Sequence, residues 1–447
     1  MLSRIRYFLA DVLHWIRTHA GQAGIAVAVV AAAVVVALFA AGELGGNEEP
    51  VTSPAPEVIV RTEEAPEETE QLGFPAFATR NTTRVSGIDP IANAAGVALA
   101  AFPSTGGVEG PPAVALVDAT DWPAGVAASS LVATPVGAPL LLTDGDDLPD
   151  LTEQALDALA PSGSPDTDGN ELFAIGTPAP DGVKALDVDG ANPAEIAAEV
   201  AKLRAKLAGA PDHVVVASSD DPAFAMPAAA WAARSGDPVL FAQRNSVPKP
   251  TLDVLADAEN TRVYILGGED VISQKAERQL DEAAKGPVTR AAEEDDPVAN
   301  AVAFARYVDG SFGWNINDPG HGFVIASADR PADAGAAAAL SAGGTWGPLL
   351  VTDDAEAPPP DLEGYLLDLK PGYEDDPTRA VYNHIWIVGD ESAVSVDFQA
   401  AVDEIAEVAP IRSGSGDSLL GPAPGTPEPE SGQDAETKQN DDRKPKR

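Results

Sequence analysis

Asp318-Pro319-Gly320-His321-Gly322 is the sharpest chemical motif in the chain, a carboxylate and an imidazole three positions apart in a glycine-bearing turn. Such a turn can offer a metal ligand, and a catalytic zinc site needs about three protein ligands and one open position. His213 and His384 are the further candidates outside the N-terminal segment. Cysteine is absent, which excludes disulfides, thiolate metal sites and a cysteine nucleophile. An apolar stretch, residues 323–326, follows the motif directly, so a turn entering a strand is its simplest account. Asp187 with Asp189, and Asp144 with Asp146 and Asp147, could hold a hard cation. Acidic turns are nevertheless expected everywhere in a chain of net charge −42. Phosphate-cradling glycine loops after a strand and a Gly-x-Ser-x-Gly elbow are missing. The residues point away from an enzyme, and they call for no cofactor and no metal.

The elements that must position these residues recur. Asp89-Pro90-Ile91-Ala92-Asn93-Ala94 returns as Asn192-Pro193-Ala194-Glu195-Ile196-Ala197 and again as Asp296-Pro297-Val298-Ala299-Asn300-Ala301, at intervals of 103 and 104 residues. Asn or Asp before Pro starts a helix, because the side chain caps free N–H groups and Pro loses nothing at the first helical position. Asp121-Trp122-Pro123, Asp220-Asp221-Pro222 and Asp329-Arg330-Pro331 each follow an apolar strand, at 113–117, 214–217 and 323–326. A third marker comes 18, 18 and 19 residues after each Asp: Pro139-Leu140-Leu141-Leu142, Pro238-Val239-Leu240-Phe241 and Pro348-Leu349-Leu350-Val351. Each of these is a strand whose Pro stands at its start, where a missing N–H does least harm. The period closes on residues 172–176, 263–267 and 385–389, each an apolar run ending in Gly.

Continuously apolar strands alternating with helical stretches belong to parallel sheets covered on both faces. The expected fold is α/β, with three tandem Rossmann-like units at 81–184, 185–287 and 288–412.

Around this body the composition changes. Gly24 to Gly42 is apolar, and no charge falls between Arg17 and Glu43, which is long enough to cross a bilayer. Arg4, Arg6 and Arg17 precede it, so residues 1–23 are expected in the cytoplasm and the bulk outside the cell membrane. A cleavable signal peptide is the competing reading of the same segment. Residues 43–80 read as a disordered Glu/Pro-rich stalk, and residues 413–447 as a disordered tail ending in a short cationic stretch. With 28 Lys+Arg against 70 Asp+Glu, nucleic acid is not an expected partner.

Four features together resemble the cell wall-binding repeat type 2 family. They are the opening Arg84-Val85-Ser86-Gly87, the turns of Asp or Asn before Pro, the strand Pro139 to Thr143, and the ending Ile265 to Ser273. The resemblance covers about 81–412. It implies a pseudo-threefold arrangement of the units and non-covalent attachment to a secondary polymer of the cell wall. Carried over, it implicates Pro139, Leu140, Leu141, Leu142, Pro238, Val239, Leu240, Phe241, Pro348, Leu349, Leu350 and Val351 in polymer binding. Arg84 and Arg290 are the implied cations; the corresponding stretch of the second period is Leu186-Asp187-Val188, without an Arg. Plain core burial also accounts for the apolar strands. The first period departs from the family ending, with Thr177-Pro178 in place of the second Gly. The turn Asp318 to Gly322 is similar to the zinc-ligand turn of wall amidases, so a wall hydrolase is one alternative and a protein-binding envelope scaffold the other.

Overall fold

The computed structural model describes residues 75–103, 110–344, 347–374 and 376–410. The expected membrane span at 24–42 and the tail at 413–447 lie outside them. Among the described residues, no helix is long and apolar enough to cross a membrane.

The strands are β1 (Pro75–Ala78), β2 (Thr82–Val85), β3 (Val114–Asp118), β4 (Leu140–Thr143), β5 (Leu172–Ile175), β6 (Ala185–Val188), β7 (His213–Ser218), β8 (Val239–Ala242), β9 (Arg262–Leu266), β10 (Val288–Ala292), β11 (Gly322–Ser327), β12 (Leu349–Thr352), β13 (Gly372–Tyr373), β14 (His384–Val388) and β15 (Ala409–Pro410). The α-helices are α1 (Pro90–Ala101), α2 (Trp122–Ala128), α3 (Asp150–Leu159), α4 (Pro193–Ala208), α5 (Pro222–Ser235), α6 (Lys249–Asp257), α7 (Gln274–Ala283), α8 (Pro297–Arg306), α9 (Ala332–Ala339), α10 (Pro360–Asp368) and α11 (Val396–Ala406). The fold is α/β, with several parallel sheets.

The expected helix starts form as the cap chemistry requires. Asp89 Oδ1 accepts the N–H of Ala92 at 2.8 Å, Asn192 Oδ1 those of Ala194 and Glu195, and Asp296 Oδ1 those of Val298 and Ala299. The three Pro-led strands also form, and each is the edge of its sheet, in the orders β4-β3-β5-β6, β8-β7-β9-β10 and β12-β11-β14-β2-β1. Pro139, Pro238 and Pro348 contribute carbonyls that accept from Ala115, Val215 and Val324. The missing proline N–H therefore costs the ladder nothing.

Each of these three sheets crosses a period boundary, while β13 and β15 pair within the third period. β6, which opens the second sequence period, pairs in parallel with β5, and β10, which opens the third, pairs with β9. β2, which opens the first, lies beside β14 at the end of the third, in the register Thr82–Ile385 to Val85–Val388. The opening helix does the opposite and stays with its own period: α1 packs on β4, α4 on β8 and α8 on β12.

β1 pairs antiparallel with β2, which corrects the expected stalk: its last residues, 75–80, form a strand and turn of the third sheet. Residues 75–78 carry no charge, unlike the Glu-rich stretch before them in the sequence.

α2, α5 and α9 pack against one another between the sheets. Their Ala and Gly side chains let the backbones come close. A Cβ on Gly335 would fall 3.0–3.1 Å from the backbone of Gly125.

Candidate functional site

The strand tetrads are interior. Pro139–Leu142, Pro238–Phe241 and Pro348–Val351 are buried at every position, against the helices that cover the edge strands. What reaches the surface is the turn after each: Asp144, Asp146 and Asp147 in the first, Gln243, Arg244 and Asn245 in the second, Asp353 and Asp354 in the third.

The two arginines are not surface cations. Arg84, 2 % exposed, gives Nε to Gln399 Oε1 at 2.8 Å and its Nη atoms to the carbonyls of Gly389, Asp390, Val394 and Ser395. Burial pushes its pKa down to about 10, against the raising influence of Glu391 and Asp390. Arg290 repeats the arrangement one unit away. It bonds the carbonyls of Gly267 and Ile272 and forms an ion pair with Glu277 at 2.7 Å. Each guanidinium reaches from the exchanged strand into the loop that closes the preceding unit. The expectation that they offer charge to a polymer is corrected to a clamp, because their donors are spent on loop carbonyls that would otherwise be buried without partners. In the first sheet Asp187 pairs with Ala174 at this register position, and no helix follows the closing strand β5. Without that loop and helix there is nothing for an arginine to clamp.

The turn Asp318 to Gly322 enters β11, as its sequence suggests. His321 Nε2 lies 3.3 Å from Asp318 Oδ1, and Asn383 Oδ1 accepts the N–H groups of Gly320 and His321. His384 Nε2 instead meets Thr83 Oγ1 at 3.1 Å, and burial holds its pKa below the ordinary imidazole value. Among the described residues, no group of three or more His, Asp or Glu side chains is placed to hold a metal.

A polar cavity of about 300 Å³ opens at the N-terminal end of the second sheet. Arg204 on α4, His213 at the start of β7, Asp237 before β8 and Ser311 line it. His213 Nδ1 is 3.4 Å from Asp237 Oδ2, which also accepts from Trp231 Nε1 at 2.8 Å, and His213 Nε2 is 3.4 Å from Ser311 Oγ. The hydrogen bond with Asp237 holds the His213 pKa above its ordinary value, against the lowering effect of burial. Arg204 gives Nη2 to the carbonyl of Thr134 at 2.9 Å, while its Nε and Nη1 are buried with no partner. Its pKa is lowered by burial and partly restored by Asp237.

Sequence reasoning missed Arg204, Asp237 and Ser311, and considered His213 only as a spare zinc ligand. A signal was present in the strand register. The positions of His213 and Asp237 are held by Ala113 and Ala138 in the first sheet and by Gly322 and Gly347 in the third.

Residues 188–277 match the family model of Cell wall binding domain 2 (CWB2), so the resemblance read from the sequence is shown on the second unit. Two solved structures share the fold. Cwp8 from Clostridium difficile aligns at a TM-score of 0.56 and 19 % identity, over 73 % of this chain and 52 % of its own. Cwp6 from Clostridium difficile aligns at 0.53 and 20 %, over 72 % of this chain and 47 % of its own. The match thus spans about half the length of those structures. No curated protein matches.

Proposed function

From the cell wall binding domain 2 match as premise, we propose that the chain is a membrane-tethered, extracytoplasmic protein that attaches non-covalently to a cell-envelope polymer, without catalysis. The family match carries this reading. The apolar run 24–42, with arginines before it and glutamates after it, supplies the tether, and the acidic stretch behind it a spacer. Three units related by a pseudo-threefold arrangement, at 81–184, 185–287 and 288–412, present the polymer with three related surfaces. The pairwise packing of α2, α5 and α9 supports that arrangement.

In this reading the buried tetrads Pro139–Leu142, Pro238–Phe241 and Pro348–Val351 act as the rigid base for the turns that follow them. A net charge of −42 opposes an anionic polymer at long range, so attachment relies on local cationic groups or bridging divalent ions. The test is co-sedimentation of the purified full chain with isolated cell walls across a salt and calcium series. Saturable retention supports the reading, and no retention under any condition sinks it.

A further inference from the structure

The cavity around Arg204 has no counterpart at the same register positions in the other two sheets. Strand starts in the first and third sheets are built with Ala113, Ala138, Gly322 and Gly347, so neither fold nor sheet requires His213 and Asp237. Arg204 is 7 % exposed, yet two of its three guanidinium nitrogens have no acceptor. A buried guanidinium with unmet donors is costly unless a ligand supplies oxygens. Asp237 accepts from neither of these nitrogens; its Oδ2 is bonded to Trp231 and lies beside His213. The order Ser311, His213, Asp237 is that of a hydrolase relay. Both 3.4 Å separations, however, exceed the usual reach of such a relay. Arg204, His213 and the exposed Ser311 hydroxyl instead form a donor set around one cavity, with Asp212 and Asp237 beside them, in a protein of net charge −42.

We propose that this cavity binds the oxyanion of a single acidic sugar unit, a carboxylate or phosphate, with Arg204 as principal donor and His213 and Ser311 as secondary donors. The inference rests on the wall-binding reading for the sugar and on the cavity's own residues for the anion. A volume of about 300 Å³ suits one monosaccharide rather than a chain. Binding tightens as His213 gains its proton. The groups facing that imidazole are Asp237, Asp212, Arg262, Tyr264 and Ser311.

The full chain is titrated with glucuronic acid, glucose 6-phosphate, inorganic phosphate and glucose, read by calorimetry and by the His213 imidazole resonances. One or both sugar anions bind, the preferred one identifying the carboxylate or the phosphate as the recognised group, and glucose does not. Arg204→Gln weakens the bound anion at least tenfold, Arg204→Lys less, and affinity is higher at pH 6 than at pH 8. Should Arg204→Gln misfold, Ser311→Ala and His213→Asn carry the same test, because Ser311 is exposed and His213 is replaced by small residues elsewhere. Inorganic phosphate binding as tightly as glucose 6-phosphate overturns the sugar assignment. Binding of no anion, or binding indifferent to both Arg204→Gln and Ser311→Ala, overturns the site. Wall retention of the same proteins separates the two readings. Probe binding without wall retention sinks the wall reading alone, and retention without probe binding sinks the cavity alone.

Discussion

Arg84 Nε donates to Gln399 Oε1 at 2.8 Å across 315 positions of sequence. One bond thereby ties β2, near the start of the described residues, to α11 near their end.

Removing the Arg84 side chain should therefore loosen the third sheet. Arg84→Ala strands four carbonyls and Gln399, and its expected cost is on the order of 3 kcal/mol. Arg84→Lys recovers little, because a single ammonium cannot reproduce the planar fork. Urea unfolding, with hydrogen exchange at residues 384–388, checks this. An unchanged midpoint for Arg84→Ala would mean the clamp carries no stability.

Asp333 gives a pH test. It is fully buried, accepts from Asn93 Nδ2 at 2.9 Å, and burial raises its pKa to about 7. The folded protein thus holds a proton that the unfolded chain releases near pH 4. Stability from this group is present below that pH and is lost as pH rises to about 7. Asp333→Asn should remove this slope, so its advantage over the wild type grows from pH 5 to pH 8, to at most roughly 4 kcal/mol. Thermal midpoints of both proteins across that range decide it; parallel curves refute the assignment.

The contact of α2 with α9 predicts an asymmetry between two glycines. Gly335→Ala places a methyl 3.0–3.1 Å from the Gly125 backbone and should cost about 1–3 kcal/mol. The Cβ of Gly125→Ala has as its nearest neighbour the Gly335 Cα at 3.9 Å, ordinary contact, so that variant should be neutral or slightly stabilising. Equal effects in thermal melts would contradict the packing.

Deleting residues 1–85 removes β1 and β2 and leaves β14 as a bare edge. The truncated chain should self-associate, seen as higher mass by light scattering after gel filtration. A stable monomer with protected amides at 384–388 would show that β2 is dispensable.

The helix starts, the edge strands and the helix-covered sheets were legible because each depends on neighbours in sequence: a cap before Pro, a Pro before an apolar run. Strand exchange was not legible. Pairing of 82–85 with 384–388 is non-local, and both strands look the same whichever sheet receives them. Arg84 and Arg290 were named as cations only through the family resemblance, which carries no information about their burial. The pattern that separates them is internal to the chain. Arginine occurs where the closing strand is followed by a loop and a helix begun by Ser273 or Ser395, and Asp187 stands where that helix is missing. The cavity residues stayed hidden because Arg204, His213, Asp237 and Ser311 are far apart in sequence and meet only through the packing of α4 beside the starts of β7 and β8.

The exchange of β2 into the last sheet also sets copy number. Open arrays of stacked repeats can gain or lose a copy at either end, since a terminal repeat needs only a cap. Here the first period fills the vacancy left by the third, so a fourth copy could enter only by reopening the β2–β14 seam. Change within such a chain must come by altering individual copies rather than by adding them, and the second copy, alone in carrying His213 and Asp237 at its strand starts, has diverged in that way.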